Sequence, residues 1–427
     1  MKPKYQDFRE RYKNKPINRD LCVQCKSWKL LCKRTRCPLI EQIKVQSPII
    51  EKLKKDLFSP SPPSFFVGWK NYPKVAVGPM ALAIEYNNPS FVDNPREWYG
   101  LCIENIINYR SMLVRSKMQI KVNEASNPSR DLSNFQELVL STDPVDVEMH
   151  LNKKPKFHPT FSEIVQPIGP SAFLKKFEIT ENVKIPHKVD YLYSDTDVKA
   201  NNALCELYKN GYSEYYLTKL FSAGVLGTKK NRRLVPTRWA ITAVDDIIGT
   251  SLIKEIRTFP EIDVYYVYHN EYLGNHYEIL FIPGCFEFEV LEAWCAGSIW
   301  GPIKGKPNII TEYEGYKGRK QYAIKQGGGY YAARLPILEK MKQIKQQAKV
   351  VIFREIYEDY YLPVGVWEVK ENVRIALENK PIIQTDLESA LNIIFSRLRL
   401  EKTSGLSRST ILSNLRQKTL RNYIKQS

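Results

Sequence analysis

Four cysteines within sixteen residues constrain the fold of this chain more than any other feature of its sequence. In CVQCKSWKLLCKRTRC, two residues separate the first pair of cysteines, and gaps of six and then four residues precede the others. Two thiolates in a C-x-x-C turn can bind one ion, and a nearby second pair completes a tetrahedral site. The spacing predicts a structural Zn²⁺ site, with an iron-sulfur cluster as the alternative. The expected ligands are Cys22, Cys25, Cys32 and Cys37.

The remaining cysteines are scattered along the chain and do not suggest a disulfide framework. A four-cysteine metal site in a reducing compartment is the simpler interpretation. The N-terminal segment MKPKYQDFRERYKNKPINRD is charged throughout and lacks the apolar centre of a signal peptide, and other hydrophobic segments are short. We therefore expect a cytoplasmic, nucleoid-associated protein with no membrane segment.

The positive charge is concentrated at the two ends of the chain. Residues 1–60 contain 16 Lys and Arg against 6 Asp and Glu, and residues 396–427 contain 8 against 1. The net charge of the whole chain is +18, so the intervening residues are close to neutral. Such basic ends favour contact with a polyanion, although a solvated surface is the simpler alternative.

Composition breaks suggest the domain organisation. The Pro-rich SPSPPS (59–64) is expected to be a stiff linker outside helix and sheet, and AGSIWGPIKGKP (296–307) forms a second break. The Ser- and Thr-rich TSGLSRSTILSNL (403–415) does not resemble the end of a packed domain. The predicted parts are a metal module (residues 1–60), a core domain (61–296), a second domain (307–402) and a flexible basic tail (403–427).

Hydrophobic periodicity predicts an α+β fold, in which two domains mix helices with antiparallel sheet and follow the small zinc-binding module. Aromatic and β-branched runs predict an antiparallel meander of three successive strands, at 263–270, 276–282 and 286–294. A further strand is expected at 350–356. Helices are expected at 98–117, 237–257, 337–349 and 385–400, the last opening with a capping box of Thr385 and Glu388.

A basic loop offers a candidate phosphate site. GTKKNRRLVPTRW (227–239) lies just before and within the first turn of a predicted helix, where free backbone N–H groups also favour anions. A solvent-exposed basic loop is an equal alternative. The candidate nucleic-acid-binding residues are Lys229, Lys230, Arg232, Arg233 and Arg238.

The sequence gives weaker support for candidate catalytic groups. Asp146 and Glu148, with Asp143 and the acidic run near Asp195, could hold Mg²⁺ if the fold gathered them, although Asp in such contexts more often caps turns. Arg110 and Arg115 could anchor a phosphate-bearing substrate such as a dinucleotide, or could pair with acids.

Two further features have ordinary structural interpretations. His269 and His276 flank a predicted hairpin turn and more often serve packing or the surface than a site. QGGGYYAAR (326–334) lacks the Lys-Ser/Thr ending of a P-loop and is expected to be a turn.

Several stretches resemble the archaeal Nre family of DNA repair proteins. They are the cysteine cluster, GPMALAIEYNNPSFVDNPREWYGLCIENIINYRSMLVRS (78–116), KIPHKVDYLYSDTDVKA (184–200) and LFSAGVLGTKKNRRLVPTRWAITAVDD (220–246). The resemblance covers nearly the whole chain. It implies that the core domain is an Nre N-terminal domain, that the second is an Nre C-terminal domain, and that the terminal motif binds the sliding clamp, PCNA.

The last residues contain QKTLRNYI, which resembles the clamp-interacting box Q-x-x-h-x-x-a-a. One tight helical turn places Leu420, Tyr423 and Ile424 on one side, where they can fill a hydrophobic pocket, while the Gln417 amide bonds to nearby backbone. Ile424 replaces the usual aromatic residue, and a weaker or archaeal-clamp-specific fit is expected. An amphipathic helix folded back on its own domain is the alternative.

The sequence as a whole predicts a DNA repair factor that the sliding clamp recruits and that contacts DNA through basic segments. The alternative is an enzyme delivered by the clamp, either a metal-dependent nuclease or an enzyme that uses a nucleotide cofactor. An RNA-binding protein with an accidental tail match is a third possibility.

Overall fold

A computed structural model of the chain describes residues 24–25, 29–31, 37–157, 168–298, 300–302 and 304–416. Two of the four expected metal ligands, Cys22 and Cys32, lie outside these residues. The clamp motif also lies outside them, including Gln417, Leu420, Tyr423 and Ile424.

Contacts divide the chain into two units. The central unit comprises Pro38–Ser251, and the C-terminal unit comprises Leu252–Ser427 together with Met1–Cys37. Each unit contains helices and one six-stranded mixed sheet, which confirms the predicted α+β class. None of the described helices is both long enough and apolar enough to cross a membrane.

The central unit is built on a sheet of strand order β1-β5-β6-β4-β3-β2. Its strands are β1 (Asp56–Ser61), β2 (Ser64–Val67), β3 (Lys74–Leu82), β4 (Leu113–Lys121), β5 (Val145–Leu151) and β6 (Ser171–Ile179). Its helices are α1 (Pro38–Lys52), α2 (Ile103–Met112), α3 (Arg130–Leu140), α4 (His187–Ser194), α5 (Ala200–Lys209), α6 (Glu214–Ser222) and α7 (Thr237–Ile256), which continues beyond Ser251.

Alternating burial along these strands gives the sheet a core face and an outward face. On the core face, Phe65 of β2 packs against Phe135 of α3 with ring centroids 6.2 Å apart, and Phe135 contacts Phe177 of β6 at 5.7 Å. The N-cap residue Ser129 accepts a hydrogen bond from the Leu132 amide and so fixes the start of α3. The side chains between these core positions point to the outward face.

Two sequence expectations for the central unit are wrong. The helix predicted over 98–117 ends at Met112, and the chain continues as β4 because strand pairing with β3 and the bond from the Arg115 amide to the Pro170 carbonyl (2.8 Å) override helical periodicity. The expected linker SPSPPS is partly strand. Its Pro60 is tolerated because β1 is an edge strand that pairs only with β5.

The C-terminal unit is built on a sheet of order β10-β9-β11-β8-β7-β12. Its strands are β7 (Tyr265–Tyr272), β8 (Asn275–Ile282), β9 (Glu287–Trp294), β10 (Asn308–Glu314), β11 (Lys349–Ile356) and β12 (Ile382–Gln384). Its remaining helices are α8 (Gly328–Ile344), α9 (Trp367–Glu378), α10 (Leu387–Arg397), α11 (Lys402–Arg408) and α12 (Thr410–Arg416).

Helices cover both faces of this second sheet. Leu280, Leu291 and Phe353 share a core cluster with residues of α10, α11 and α12. On the opposite face, Phe288 packs against Tyr330 of α8 at 5.3 Å. The segment predicted to separate two domains, 296–307, joins β9 to its antiparallel neighbour β10, so the compact units do not divide there.

The structure corrects three expectations in this unit. Strands β7 and β8 form the predicted hairpin, but β11 lies between β8 and β9, so the meander is wrong. QGGGYYAAR is largely the first part of α8 rather than a turn. The residue that caps α10 is Asp386, whose carboxylate accepts the Ser389 amide at 2.8 Å, and not Thr385. The helix beginning near residue 237 and the strand at 350–356 are confirmed.

The Ser- and Thr-rich stretch predicted to be flexible is helical up to Arg416. Leu406, Ile411 and Leu412 are buried in the core cluster of the C-terminal unit. The hydroxyl of Ser409 donates to the Glu289 carboxylate at 2.6 Å, and the amides of Thr410 and Ile411 donate to it at 2.8 and 3.1 Å. A buried carboxylate therefore caps α12 and fixes it to the sheet.

Candidate nucleic-acid interface

Five cations lie along one side of the central sheet and its β2–β3 loop. We call this surface the cationic face. Arg115 and Lys117 are on β4, and its last residue, Lys121, pairs across the strands with Lys74 at the start of β3. The fifth cation, Lys70, is on the β2–β3 loop, and all five lack an ion pair with any other described residue. Like charges placed opposite one another destabilise a sheet, so the arrangement suits an anionic ligand.

Arg115 is the most unusual member of the cationic face. Its guanidinium lies 4.8 Å from the ring centroid of Phe66 on β2, and its buried Nε–H has no acceptor among the described residues. Burial lowers the pKa of Arg115 to about 10, since no carboxylate compensates the lost hydration. The side chain remains charged at neutral pH. A partly buried cation without a counter-ion is a strong indication of a site for an anion.

Neighbouring charges strengthen the positive electrostatic field around Arg115. Burial lowers the pKa of Lys117, and repulsion from Arg115 and Lys70 lowers it further. The Asp93 carboxylate, which accepts a hydrogen bond from Ser64 of β2, is paired with Lys219 at 2.7 Å and not with a member of the cationic face.

Aromatic residues lie among these cations. Strand register places Phe66 beside Gly78 on β3 and Phe173 of β6 beside Lys117. At the loop end of the face, Tyr72 contacts Trp239 of α7 with ring centroids 5.3 Å apart. Cations combined with aromatic rings are typical of surfaces that bind nucleic acid.

The five basic residues of the predicted loop have different surroundings in the structure. Arg232 is partly buried, and its guanidinium donates to the carbonyls of Gly227 (2.9 Å), Tyr193 (2.6 Å) and Asp195 (3.3 Å). Arg232 therefore holds the loop together instead of facing a ligand. The other four side chains are exposed, at Lys229, Lys230, Arg233 and Arg238, and they stay candidates.

The two arginines proposed as phosphate anchors also differ. Arg110, in the last turn of α2, places its guanidinium 4.9 Å from the ring centroid of Trp98. Arg115 lies on the following strand, where it forms part of the cationic face.

The candidate catalytic acids lie on the outward side of β5, in the half of the sheet away from β3. Glu148 accepts from Nε2 of His150 at 2.6 Å, and Asp56 of β1 accepts from Nδ1 at 2.7 Å. These bonds raise the pKa of His150, with Asp56 as the larger cause. Asp146 is exposed, and its amide donates to Glu181 at 2.7 Å. Across the described ranges, no group of three or more His, Cys, Asp or Glu is arranged to hold a metal ion.

The two histidines of the β7–β8 hairpin face acids, not each other. His276 lies opposite Glu271, and its Nε2 is 3.0 Å from Glu278, which itself lies opposite His269. Burial lowers the pKa of His269, with a smaller contribution from Arg397. Burial lowers the pKa of His276, but its bond to Glu278 and the attraction of Glu278, Glu271 and Glu355 together outweigh burial and raise it.

A buried ionic network in the C-terminal unit was not anticipated from the sequence. Arg354 of β11 donates to Glu292 of β9 (2.8 Å), to Glu368 of α9 (3.2 Å) and to Asn275 of β8 (2.7 Å). Burial raises the pKa of Glu368 to about 7. All four side chains are buried, so the network ties three strands to α9.

The described part of the cysteine cluster shows one feature that suits a metal ligand. Cys25 is buried, and its sulfur accepts the Leu31 amide at 3.4 Å. Backbone N–H donors orient metal-binding sulfur atoms in this way. Cys37 is half-buried.

Comparison with known proteins gives a consistent result. Residues 31–301 match the family model described as "Archaeal Nre, N-terminal", and residues 314–423 match "Archaeal Nre, C-terminal". The chain is 39% identical over 395 residues to the DNA repair protein NreA of Archaeoglobus fulgidus. The matched region covers 92% of this chain and 98% of that protein.

Two further relatives carry related names. The DNA repair protein NreB of Archaeoglobus fulgidus is 34% identical over 399 residues, or 93% of this chain and 98% of that protein. The DNA repair protein NreA of Haloferax volcanii is 35% identical over 324 residues, or 74% of this chain and 77% of that protein. No solved structure matches the chain.

Proposed function

Because the chain belongs to the archaeal Nre family, we propose that it is a DNA repair factor that binds DNA on the cationic face and docks on the sliding clamp through its C-terminal motif. Its relatives are named DNA repair proteins, and the proposed role in DNA repair is based on that similarity. The contact with DNA is argued from the side chains of the central unit.

The observation that carries the DNA contact is the uncompensated charge of Arg115. Proteins rarely desolvate a guanidinium without placing a carboxylate beside it. Here the neighbouring charged group, Lys117, has the same sign, and Lys117 is itself repelled by a further cation, Lys70. A phosphate backbone supplies a row of anions that can approach such a surface and release its condensed counter-ions.

The clamp contact is supported by the position of the motif. The described part of helix α12 runs to Arg416, the residue before Gln417, and its N-terminus is fixed by Glu289. The motif therefore follows an anchored element. A short aliphatic and aromatic box placed there can enter a groove on a partner without rearranging the C-terminal unit.

We also propose that the four cysteines bind a structural zinc ion. The amide donor to Cys25 supports a metal-ligand role for that sulfur. We expect the purified chain to contain about one zinc per molecule, and Cys25→Ser to release it. A purified chain that contains iron but no zinc contradicts this choice of metal.

The DNA contact is tested by a salt titration of DNA affinity with the full chain. Lys117→Gln and Arg115→Gln should each weaken binding, and each should reduce the slope of log affinity against log salt by about 1 for every phosphate that the side chain no longer neutralises. The matched control is Lys209→Gln, which removes an exposed lysine from the last turn of α5 and should leave the slope unchanged. Equal slopes for all variants contradict the proposal.

The enzyme alternative receives no support from the described acids. The Glu148 carboxylate bonds to His150, and among the described residues Asp146 belongs to no group of three or more His, Cys, Asp or Glu that could hold a metal ion. A role in recruitment and DNA binding therefore fits the geometry better than metal-dependent cleavage.

A further inference from the structure

We propose that the cationic face binds single-stranded DNA, with unpaired bases stacked on Phe66 and Phe173 and phosphates held by the surrounding lysines and arginine. This inference rests on the proposed function and adds the form of the DNA and the residues that distinguish it.

The strand register places the two phenylalanines at opposite ends of one row across the sheet. Phe66 lies beside Gly78, and Phe173 lies beside Lys117. Val77 is opposite Met118, so the next residue of β3, Gly78, is aligned with Lys117. Three strand spacings separate the phenylalanines, or about 14 Å. Between them, Gly78 presents no side chain and Lys117 presents an ammonium group.

Phe173 leaves more than half of its apolar surface exposed to solvent. Its side chain is 56% exposed, and it contacts no other aromatic ring among the described residues. Phe66 is partly buried, and one side of its ring is occupied by the Arg115 guanidinium. A base stacked on either ring covers apolar surface while its phosphate remains near a cation.

The separated aromatic rings of this surface favour a single strand over a duplex. In a duplex, each base face is already covered by its neighbours, and proteins read the grooves with a helix or a two-stranded ribbon. A sheet face with separated aromatic rings matches unpaired bases instead, as in other nucleic-acid-binding sheets whose aromatic residues stack bases. The cations Lys74 and Lys121 extend the same face along the strands and give the backbone a continuous path.

The chain offers a close internal control in Phe58. This residue of β1 is 60% exposed on the same sheet, but its ring meets His150 edge-on at 5.7 Å, beside Asp56 and Glu148. Acidic neighbours repel a phosphate backbone. The two exposed phenylalanines therefore differ in electrostatic surroundings and not in exposure.

The test measures fluorescence anisotropy of labelled oligothymidine, and of a duplex of the same length, with the full chain. The wild type should bind the single strand more tightly. Phe173→Leu should weaken single-strand binding by about fivefold to about a hundredfold, the range for loss of one base–aromatic stack. Phe173→Trp should retain it, and Phe58→Leu should bind as the wild type does. Circular dichroism spectra and unfolding midpoints establish that all variants are folded.

The outcomes separate this inference from the function on which it rests. If the wild type binds DNA through Arg115 and Lys117, but Phe173→Leu matches Phe58→Leu or the duplex binds equally well, the stacking proposal is wrong and the cationic face stands. If the wild type binds neither form, both are wrong. Tenfold tighter binding of oligouridine than of oligothymidine overturns the assignment to DNA.

Discussion

Arg115 and Arg232 are both partly buried arginines of the central unit, but their guanidinium groups have opposite surroundings. Arg232 donates to three backbone carbonyls, whereas Arg115 lies over the Phe66 ring with no carboxylate partner among the described residues. Burial lowers the pKa of both groups. The contrast between them gives a way to distinguish a structural cation from one reserved for a ligand.

We expect Arg115→Met to change the free energy of unfolding by less than about 1 kcal/mol, because it removes a charge that burial leaves uncompensated. Arg232→Met should cost about 1–3 kcal/mol, because it leaves buried carbonyls without donors. Urea denaturation of the two variants provides the measurement. A loss for Arg115→Met as large as that for Arg232→Met indicates that Arg115 is structural.

His150 gives a pH dependence whose sign follows from its two acidic partners. Bonds to Asp56 and then Glu148 raise its pKa in the folded chain above the value of about 6.5 found in unfolded chains. The stabilisation is fully present below the unfolded pKa and is lost as pH rises through the folded pKa. NMR titration should give a higher pKa for His150 than for His269, whose pKa burial lowers. The reverse order contradicts the bonding pattern.

The basic loop at 227–239 was recognisable from the sequence because its charges are contiguous. The members of the cationic face are separated along the chain, and only strand pairing brings Lys74 beside Lys121 and Lys70 near Lys117. Arg115 was identified as a candidate phosphate anchor, but the sequence slightly favoured pairing with an acid. Which of these applies depends on whether an acid lies nearby in space, and one sequence cannot show that.

Among the elements, helix α12 illustrates how composition can mislead. Its polar sequence suggests a free tail, but three donors at its N-terminus meet a carboxylate buried in β9. We expect Glu289→Gln to cost about 1–3 kcal/mol through the lost charged acceptor. Hydrogen exchange of residues 402–416 should accelerate.

Glu255→Gln is the matched control for this change. Its exposed carboxylate on α7 pairs with Lys342 of α8, away from residues 402–416, and exposed pairs contribute about 0–1 kcal/mol. Exchange in α12 that is equally slow in Glu289→Gln and in the wild type contradicts the anchoring role of Glu289.

Elements formed by local patterns were predicted better than their arrangement. The hairpin of β7 and β8, the long helix α7 and the strand β11 follow from short-range periodicity and turn residues. The insertion of β11 between β8 and β9 does not, since β11 returns to the sheet only after the intervening α8, and it lies parallel to β9. The end of α2 at Met112 was missed for a similar reason, because pairing with β3 decides it.

At the scale of the whole molecule, net charge conceals the cationic face. Residues 61–395 are close to neutral, and the two ends carry most of the excess. Within the central sheet, however, the outward side of β1 and β5 carries Asp56, Asp146 and Glu148, whereas that of β3 and β4 carries lysines and Arg115. Segregation of charge creates a strong local field without changing the sum.

The proposed function gives the chain two separable contacts, a cationic face for DNA and a terminal motif for the sliding clamp. Deleting residues 417–427 should abolish association with the clamp, because it removes Leu420 and Tyr423 from the chain. Thermal unfolding should not change, since Ile411 and Leu412 still pack in the C-terminal unit. DNA affinity at the cationic face should also be retained.

Size-exclusion chromatography of the chain with a purified archaeal sliding clamp provides the measurement. The double substitution Leu420→Ala with Tyr423→Ala should behave as the deletion does, because both large groups that enter a hydrophobic pocket are removed. Lys418→Ala is the matched control, since this position of the motif contributes no pocket group. Association that survives the deletion shows that the clamp binds elsewhere. A lowered unfolding midpoint places the tail against its own domain, and the motif then belongs to the fold and not to recruitment.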